Sequence, residues 1–296
     1  MLLTGFDQVR MPIGNATYSV VVGGADNGTP VLLLHGFPQT HHCWRHVAPR
    51  LATRFKLTIP DLRGYGGSRA PAGGPRGEGY SKREMATELM ELMARLGHDR
   101  FAVVGHDRGA RVAYRLALDH PDRVTKVALL NILPTLEQFE RMGNGPSLGY
   151  WPWFLLAQPA PLPERLIGAN PAAVLEHAFD SWAGDPSAID RSSRDTYAET
   201  LTPSVIAAMC ADYRASFHID RGHDAADRQA ARRIEVPVLL VTGAEEEQLA
   251  DAPDVWRRWA NNLEATQVPG GHFIPEEAGR QLSDTLMAFL DQGLNS

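Results

Sequence analysis

The sequence contains Val103-Val104-Gly105-His106-Asp107-Arg108-Gly109-Ala110, an apolar run followed by a short polar segment between two glycines. The apolar run predicts a buried strand, and the residues after it predict a helix. Gly105 and Gly109 permit a sharp turn between these elements, and the turn exposes the side chain of Asp107. A carboxylate exposed in this way can act as a nucleophile. The alternative is that Asp107 only caps the helix that follows.

Apolar runs on both sides of this turn predict a sheet. They lie at 17–22, 30–34, 56–60 and 124–130. Continuous apolar runs of this length are typical of strands that are buried on both faces. Between them, residues 82–96 carry apolar side chains at helical spacing, and Gly97 ends the pattern. The alternation of strands and helices predicts an α/β fold with a mostly parallel, doubly wound sheet.

The strand pattern is interrupted once. After Pro134 no strand is predicted until about residue 222, and helical segments with tryptophans and prolines take their place. Strands return at 236–242 and 265–268, and a last helix runs from about Glu276 to Asp291. We therefore predict a core in two parts, 1–133 and 223–296, with a helical cap formed by 134–222.

Composition excludes several classes of protein. The chain has 296 residues, of which 44% are hydrophobic, and 29 basic against 35 acidic residues give a net charge of −6. This balance argues against a nucleic-acid partner. No apolar run approaches the roughly 20 residues of a membrane span, and the start lacks the features of a signal peptide. Two cysteines do not make a disulfide framework. We expect a cytoplasmic enzyme without a membrane partner.

Two further motifs complete a catalytic pattern around Asp107. Pro269-Gly270-Gly271-His272-Phe273 follows a predicted strand, which puts His272 on a loop where it can act as a base. His35-Gly36-Phe37-Pro38 also follows a strand. Its turn can aim the Phe37 amide at Asp107, so that the amides of Phe37 and Arg108 form an oxyanion hole.

Histidines and a cysteine cluster after this second motif, at His41, His42, Cys43 and His46. Adjacent residues on a helix point in different directions, and no further ligand lies at the spacing of a zinc finger. We predict no metal.

The order of these motifs resembles the α/β-hydrolase fold with an aspartate nucleophile, a family that includes haloalkane dehalogenases, soluble epoxide hydrolases and haloacetate (fluoroacetate) dehalogenases. The finer resemblance is to the haloacetate dehalogenases and covers essentially the whole chain. It rests on residues 105–111, on Tyr150-Trp151-Pro152-Trp153 and the residues up to Pro159, and on Asp212-Tyr213-Arg214. The resemblance implies that a small 2-haloacid is hydrolysed without a cofactor, through an ester on Asp107.

Arg108 and Arg111 favour an anionic substrate. They lie three residues apart in the first turn of the helix after Asp107, so they share a face. Two guanidinium groups and a helix N-terminus form an anion site beside the nucleophile. A haloacid carboxylate would use this site, whereas neutral haloalkanes and epoxides would not. The alternative is that the arginines pair with surface carboxylates or with Asp107.

The resemblance also implies a halide pocket in the cap. Trp153 and Tyr213 match donors of that pocket, and Trp182 matches a wall, although cap tryptophans can also be plain packing. Pro152 stands where the fluoroacetate enzymes carry a His, and it donates nothing.

A second departure concerns the acid that orients His272. In the fluoroacetate dehalogenases it follows the strand after the nucleophile helix, where this chain has Asn131, which cannot stabilise an imidazolium by charge. Other members of the fold place the acid after the next core strand, and Glu246 matches that position. The alternative is a solvated acidic loop at 245–247.

Two other functions remain open. An epoxide hydrolase would use Tyr213 as an acid, with Tyr150 or Tyr197 as the second tyrosine. A non-catalytic receptor or scaffold is disfavoured by the intact Asp107 and His272. The expected partners are a small-molecule substrate and water, and a homodimer is left open.

Overall fold

The computed structural model of the protein describes residues 3–144 and 148–292, and an eight-stranded sheet forms its centre. The strands are β1 (Phe6–Ile13), β2 (Ala16–Gly24), β3 (Thr29–Leu34), β4 (Phe55–Pro60), β5 (Phe101–His106), β6 (Val124–Leu130), β7 (Val238–Gly243) and β8 (Leu263–Val268). Their order is β1-β2-β4-β3-β5-β6-β7-β8. β2 is antiparallel to both β1 and β4, and the other neighbouring pairs are parallel. The predicted fold class is confirmed.

Helices cover both faces of this sheet. The α-helices of the described residues are α1 (Ala48–Leu51), α2 (Lys82–Arg95), α3 (Arg108–Asp119), α4 (Thr135–Asn144), α5 (Trp151–Leu155), α6 (Leu162–Ala169), α7 (Pro171–Trp182), α8 (Arg191–Thr200), α9 (Pro203–Ala215), α10 (Arg221–Gln229), α11 (Ala252–Trp256), α12 (Ile274–Glu277) and α13 (Gly279–Asp291). A π-helical turn at Ser216–Asp220 joins α9 to α10. Among the described residues, no helix is both long enough and apolar enough to cross a membrane.

Successive side chains of the central strands point to opposite faces of the sheet, and they form one apolar layer on each face. In β3, Leu32 and Leu34 pack toward α2, α3 and the helical insertion, whereas Val31 and Leu33 pack toward α1 and α13. Successive side chains of a strand point to opposite faces, so a strand between two layers must be apolar throughout. Every residue of β5 and of β7 is buried, as this position requires.

The strand missed in the sequence is β1, and the reason is its place at the edge of the sheet. Its residues are mostly exposed or half-buried, so it has no continuous apolar run. Among the described strands it pairs with β2 alone, from Phe6 opposite Gly23 to Ile13 opposite Ala16.

Between β6 and β7 the described residues form helices α4 to α10 and no strand. This agrees with the helical character predicted for that part of the chain. The predicted boundary at residue 222 falls within α10. The insertion starts immediately after β6, at the end of the sheet that carries the turn between β5 and α3.

Candidate active site

Asp107 lies in the sharp turn between β5 and α3, with φ 47° and ψ −114°. The turn requires both flanking glycines. A Cβ atom at Gly109 would lie 2.4 Å from the carbonyl oxygen of His35, and one at Gly105 would lie 2.5 Å from Cα of Ala110. The Asp107 side chain makes no capping hydrogen bond to α3. The strained backbone therefore presents the carboxylate instead of capping the helix.

The two carboxylate oxygens of Asp107 have different surroundings. Oδ1 accepts a hydrogen bond of 2.8 Å from the backbone N–H of Phe37. Oδ2 lies 3.8 Å from Nε2 of His272. Burial raises the pKa of this carboxyl, but the nearby charges of His272 and Arg108 outweigh burial, and the pKa is lowered overall. The group therefore stays ionised at neutral pH.

His272 lies between Asp107 and Glu246. Its Nδ1 is 3.8 Å from Oε1 of Glu246, which is the same separation as between its Nε2 and Oδ2 of Asp107. Of the three consecutive glutamates, Glu246 is 7% exposed, whereas Glu245 and Glu247 are both exposed. Burial raises the pKa of Glu246, and its contacts with His272 and a side-chain hydrogen bond from Gln248 offset this only in part.

Asn131 lines the same region but holds the backbone of the histidine loop. Its Nδ2 donates to the carbonyl oxygens of Gly271 and His272, at 2.9 and 2.8 Å. Its Oδ1 accepts from the N–H of Gly243 at 2.8 Å. All these bonds are to main-chain atoms, so Asn131 positions the loop, and the acidic neighbour of the imidazole is Glu246.

The two predicted arginines have different partners. The Arg108 guanidinium is fully buried and binds Asp212 through Nε at 2.9 Å and Nη2 at 2.8 Å. Arg111 donates from Nη1 to the carbonyl of Leu133 at 2.9 Å and to Oγ1 of Thr135 at 3.3 Å. Within the part of the chain that the structure describes, Nη1 of Arg108 and Nε of Arg111 have no hydrogen-bond partner.

Asp212 was not singled out for this role in the sequence, although a carboxylate in the apolar run of α9 is a signal. It also accepts from Nζ of Lys82, and from the hydroxyl of Tyr65 at 2.8 Å. Burial raises the pKa of Asp212, but Arg108 and Lys82 outweigh it and hold the pKa well below its usual range. This buried ion cluster fixes α9 onto α3 at the residue that follows Asp107.

A cavity of about 60 Å³ opens above Asp107. It brings together most of the residues predicted for the site, namely Asp107, Arg111, Asn131, Tyr150, Trp153, Trp182, Tyr213, Glu246 and His272. Pro152 also lines it, so the position that departs from the fluoroacetate pattern faces the cavity. Gln138, Gly149, Gln248 and Leu249 complete the lining, and they belong to no motif by which the sequence could have predicted them.

Two aromatic rings of the cavity lining, those of Trp153 and Tyr213, pack against guanidinium groups. The rings of Trp153 and Tyr213 lie 5.3 Å apart. The Arg108 guanidinium carbon is 4.1 Å from the centre of the Tyr213 ring, and that of Arg111 is 4.6 Å from the Trp153 ring. Burial raises the pKa of Tyr213 well above its ordinary value, so its hydroxyl keeps the proton that it could donate. The indole N–H of Trp182 instead donates to the carbonyl of Gly149 at 3.2 Å.

Known proteins resemble this chain over nearly its full length. A family model described as alpha/beta hydrolase fold matches residues 29–278. The chain is 40% identical to a fluoroacetate dehalogenase of Burkholderia sp, over 96% of this chain and 95% of that protein. It is 30% identical to a soluble epoxide hydrolase of Corynebacterium sp. (strain C12), over 90% and 91%. A solved alpha/beta hydrolase from Nostoc sp PCC 7120 superposes with a TM-score of 0.93 at 42% identity, over 98% and 100%. The chain belongs to the α/β-hydrolase fold family and, within it, is similar to a fluoroacetate dehalogenase and to a soluble epoxide hydrolase.

Proposed function

We propose that this hydrolase cleaves the carbon–halogen bond of a small 2-haloacid and forms a 2-hydroxy acid and a halide ion. The observation that carries the proposal is the presence, in one cavity, of an ionised Asp107, a histidine between two carboxylates, and Arg111. The similarity to a fluoroacetate dehalogenase supports the same reaction. The proposed reaction has two steps, displacement of the halide and hydrolysis of the resulting ester, and neither step needs a cofactor.

The first step is a displacement by Asp107. Oδ1 is held by the Phe37 amide, so Oδ2 is the oxygen free to attack the α carbon of the substrate. Its new carbon–oxygen bond forms as the carbon–halogen bond breaks, and the halide leaves with the bonding pair. Trp153 and Tyr213 line the cavity, and their N–H and O–H groups can stabilise the departing anion.

The second step is hydrolysis of the ester. His272 takes a proton from water, and the water oxygen attacks Cγ of Asp107. Negative charge then develops on Oδ1, which the Phe37 amide already faces at 2.8 Å. The bond between Cγ and Oδ2 breaks, and the departing alkoxide takes the proton from His272. Glu246 stabilises the imidazolium between these two transfers.

The cavity favours a small, charged substrate. Its volume of about 60 Å³ leaves space for only a few non-hydrogen atoms, since one water needs roughly 10–15 Å³ by this measure. A negative charge close to an ionised Asp107 would be repelled without compensation. Arg111 supplies that compensation, because it lines the cavity and its Nε has no partner among the described residues. Arg108 does not line the cavity, and its charge is paired with Asp212.

A halide-release screen over fluoro-, chloro- and bromoacetate, run beside diol formation from styrene oxide, tests this function. We expect chloro- and bromoacetate to turn over readily and fluoroacetate to react slowly. Fluoride is strongly hydrated and needs several donors, and Pro152 supplies none. One missing donor corresponds to roughly 10²–10³ in rate. Absence of halide release from all three acids would refute the proposal, and equal rates for fluoro- and chloroacetate would refute the halogen preference.

Epoxide hydrolysis is the second candidate, and one observation favours it. Tyr150 and Tyr213 line the same cavity, where two hydroxyl groups could protonate an epoxide oxygen. Tyr197 is not available for this role, because its hydroxyl donates to the buried Glu276. Diol formation from styrene oxide, lost in a Tyr213→Phe variant, would support this candidate.

A further inference from the structure

Gln138 is a buried glutamine that belongs to no sequence motif. It lies on α4, is 4% exposed and lines the cavity above Asp107. Its Nε2 is fully buried and has no hydrogen-bond partner within residues 3–144 and 148–292. Buried amide groups in proteins are nearly always hydrogen-bonded, so an unpaired one at a cavity indicates that a ligand supplies the partner.

The place of Gln138 on α4 relates it to Arg111. Thr135 lies one turn earlier on the same helix, and its Oγ1 accepts a hydrogen bond from Nη1 of Arg111. Residues three apart on a helix share a face, so Gln138 follows Thr135 along the face that meets Arg111. Gln138 and Arg111 both line the cavity, and each has one unpaired N–H donor among the described residues, Nε2 and Nε respectively.

We infer that Gln138 is a specificity-determining residue whose amide N–H donates to the carboxylate of the substrate beside Arg111. This inference rests on the proposed haloacid function and names a contact in the same site. The Arg108 guanidinium already uses two of its nitrogens on Asp212. Gln138 therefore provides part of the carboxylate site that the sequence assigned to Arg108 and Arg111 alone. A neutral amide can do so without adding a charge next to the arginines.

The test compares the turnover of chloroacetate with that of chloroacetamide, which has the same leaving group and no carboxylate. A Gln138→Leu variant should raise KM for chloroacetate about tenfold to a hundredfold, the loss typical of one hydrogen bond to a charged group. Its kcat should stay within about twofold, because the contact is equally strong before and during the displacement. The constants for chloroacetamide, as substrate or as competitive inhibitor, should stay within about twofold of the wild type.

A second variant and a control separate this contact from a structural role. Gln138→Glu keeps the size of the side chain but adds a negative charge, so KM for chloroacetate should rise further, and the increase should shrink at low pH as the new carboxyl is protonated. Gln158→Leu changes an exposed glutamine outside the cavity and should behave like the wild type. An unchanged KM in Gln138→Leu, or equal losses on both substrates, would overturn the inference. A wild-type protein that releases no halide from chloroacetate would overturn the proposed function itself.

Discussion

At the scale of single residues, the unequal surroundings of the two Asp107 oxygens predict where a solvent oxygen enters. One turnover in ¹⁸O-labelled water should leave the label in the Asp107 carboxylate and not in the first product, because water attacks Cγ of the ester. In His272→Ala, the ester should accumulate and add the mass of the carboxymethyl group to the protein. Mass spectrometry of the intact protein and its peptides measures both outcomes. Asp107→Asn is the control and should form no adduct. Label found directly in the first product would contradict the covalent mechanism.

Arg111 is the second residue whose chemistry can be tested by itself. Arg111→Lys keeps the charge but loses the planar guanidinium that reaches Leu133 and Thr135 while leaving Nε free. We expect kcat/KM for chloroacetate to fall by at least about 30-fold, since a buried charge-assisted contact of this kind is worth about 2–5 kcal/mol. Steady-state kinetics provide the measurement, and an unchanged melting temperature shows that the fold is intact. A variant with wild-type kcat/KM would remove Arg111 from the carboxylate site.

At the scale of elements, the segment after β7 places one of three glutamates against His272. The short helical turn that begins after Glu246 turns this side chain inward and leaves its two neighbours in solvent. Glu246→Gln should slow ester hydrolysis far more than ester formation, because only hydrolysis passes through an imidazolium. Rapid-quench measurement of halide burst against steady-state turnover separates the two rates. Glu247→Gln is the matched control and should leave both rates unchanged. Equal rates in Glu246→Gln and wild type would exclude Glu246 from the relay.

Asn131, directly after β6, has a structural role: it holds the loop that carries His272. Asn131 follows β6 and has a φ of 54°. Its side chain joins the histidine loop to β7 through hydrogen bonds to main-chain atoms of both segments. An aspartate there would place its carboxylate against the carbonyl oxygens of Gly271 and His272, where the amide now donates. The amide at this position therefore suits the loop, and the carboxylate beside the His272 imidazole is that of Glu246, after the next strand.

At the scale of the whole molecule, Asp224 joins the end of the helical insertion to the core. Its carboxylate, on α10, accepts from the hydroxyl of Tyr114 on α3 at 2.9 Å and from the backbone N–H of Leu136 on α4 at 3.0 Å. Burial raises the pKa of this carboxyl to about 6, although Arg115 acts in the opposite direction. In the unfolded chain the pKa is about 3.9.

This difference in pKa predicts how stability varies with pH. Between about pH 4 and pH 6 the folded state binds more protons at Asp224 than the unfolded state, so this group's contribution to stability falls as pH rises through that window. Asp224→Asn should remove that decline. The free energy of unfolding of the variant, relative to the wild type, should therefore rise by on the order of 3 kcal/mol from pH 4 to pH 7. Urea titrations across this range provide the values. The lost acceptor adds only a constant offset, so a pH-independent difference would contradict the prediction.

The fold family, the turn that presents Asp107 and the loop that carries His272 could all be predicted from the sequence. These features depend on local patterns: apolar runs for buried strands, paired glycines for a tight turn, and motif order along the chain. The edge strand β1 could not be predicted in this way, because an edge strand needs no apolar run. The resemblance pointed to Glu246, and the structure adds that Glu246 is the buried one of three adjacent glutamates and lies 3.8 Å from His272. The ion pair between Arg108 and Asp212 and the place of Gln138 in the cavity lining could not be predicted. Each of these outcomes depends on the direction of a side chain and on a contact across the fold, and local sequence patterns encode neither.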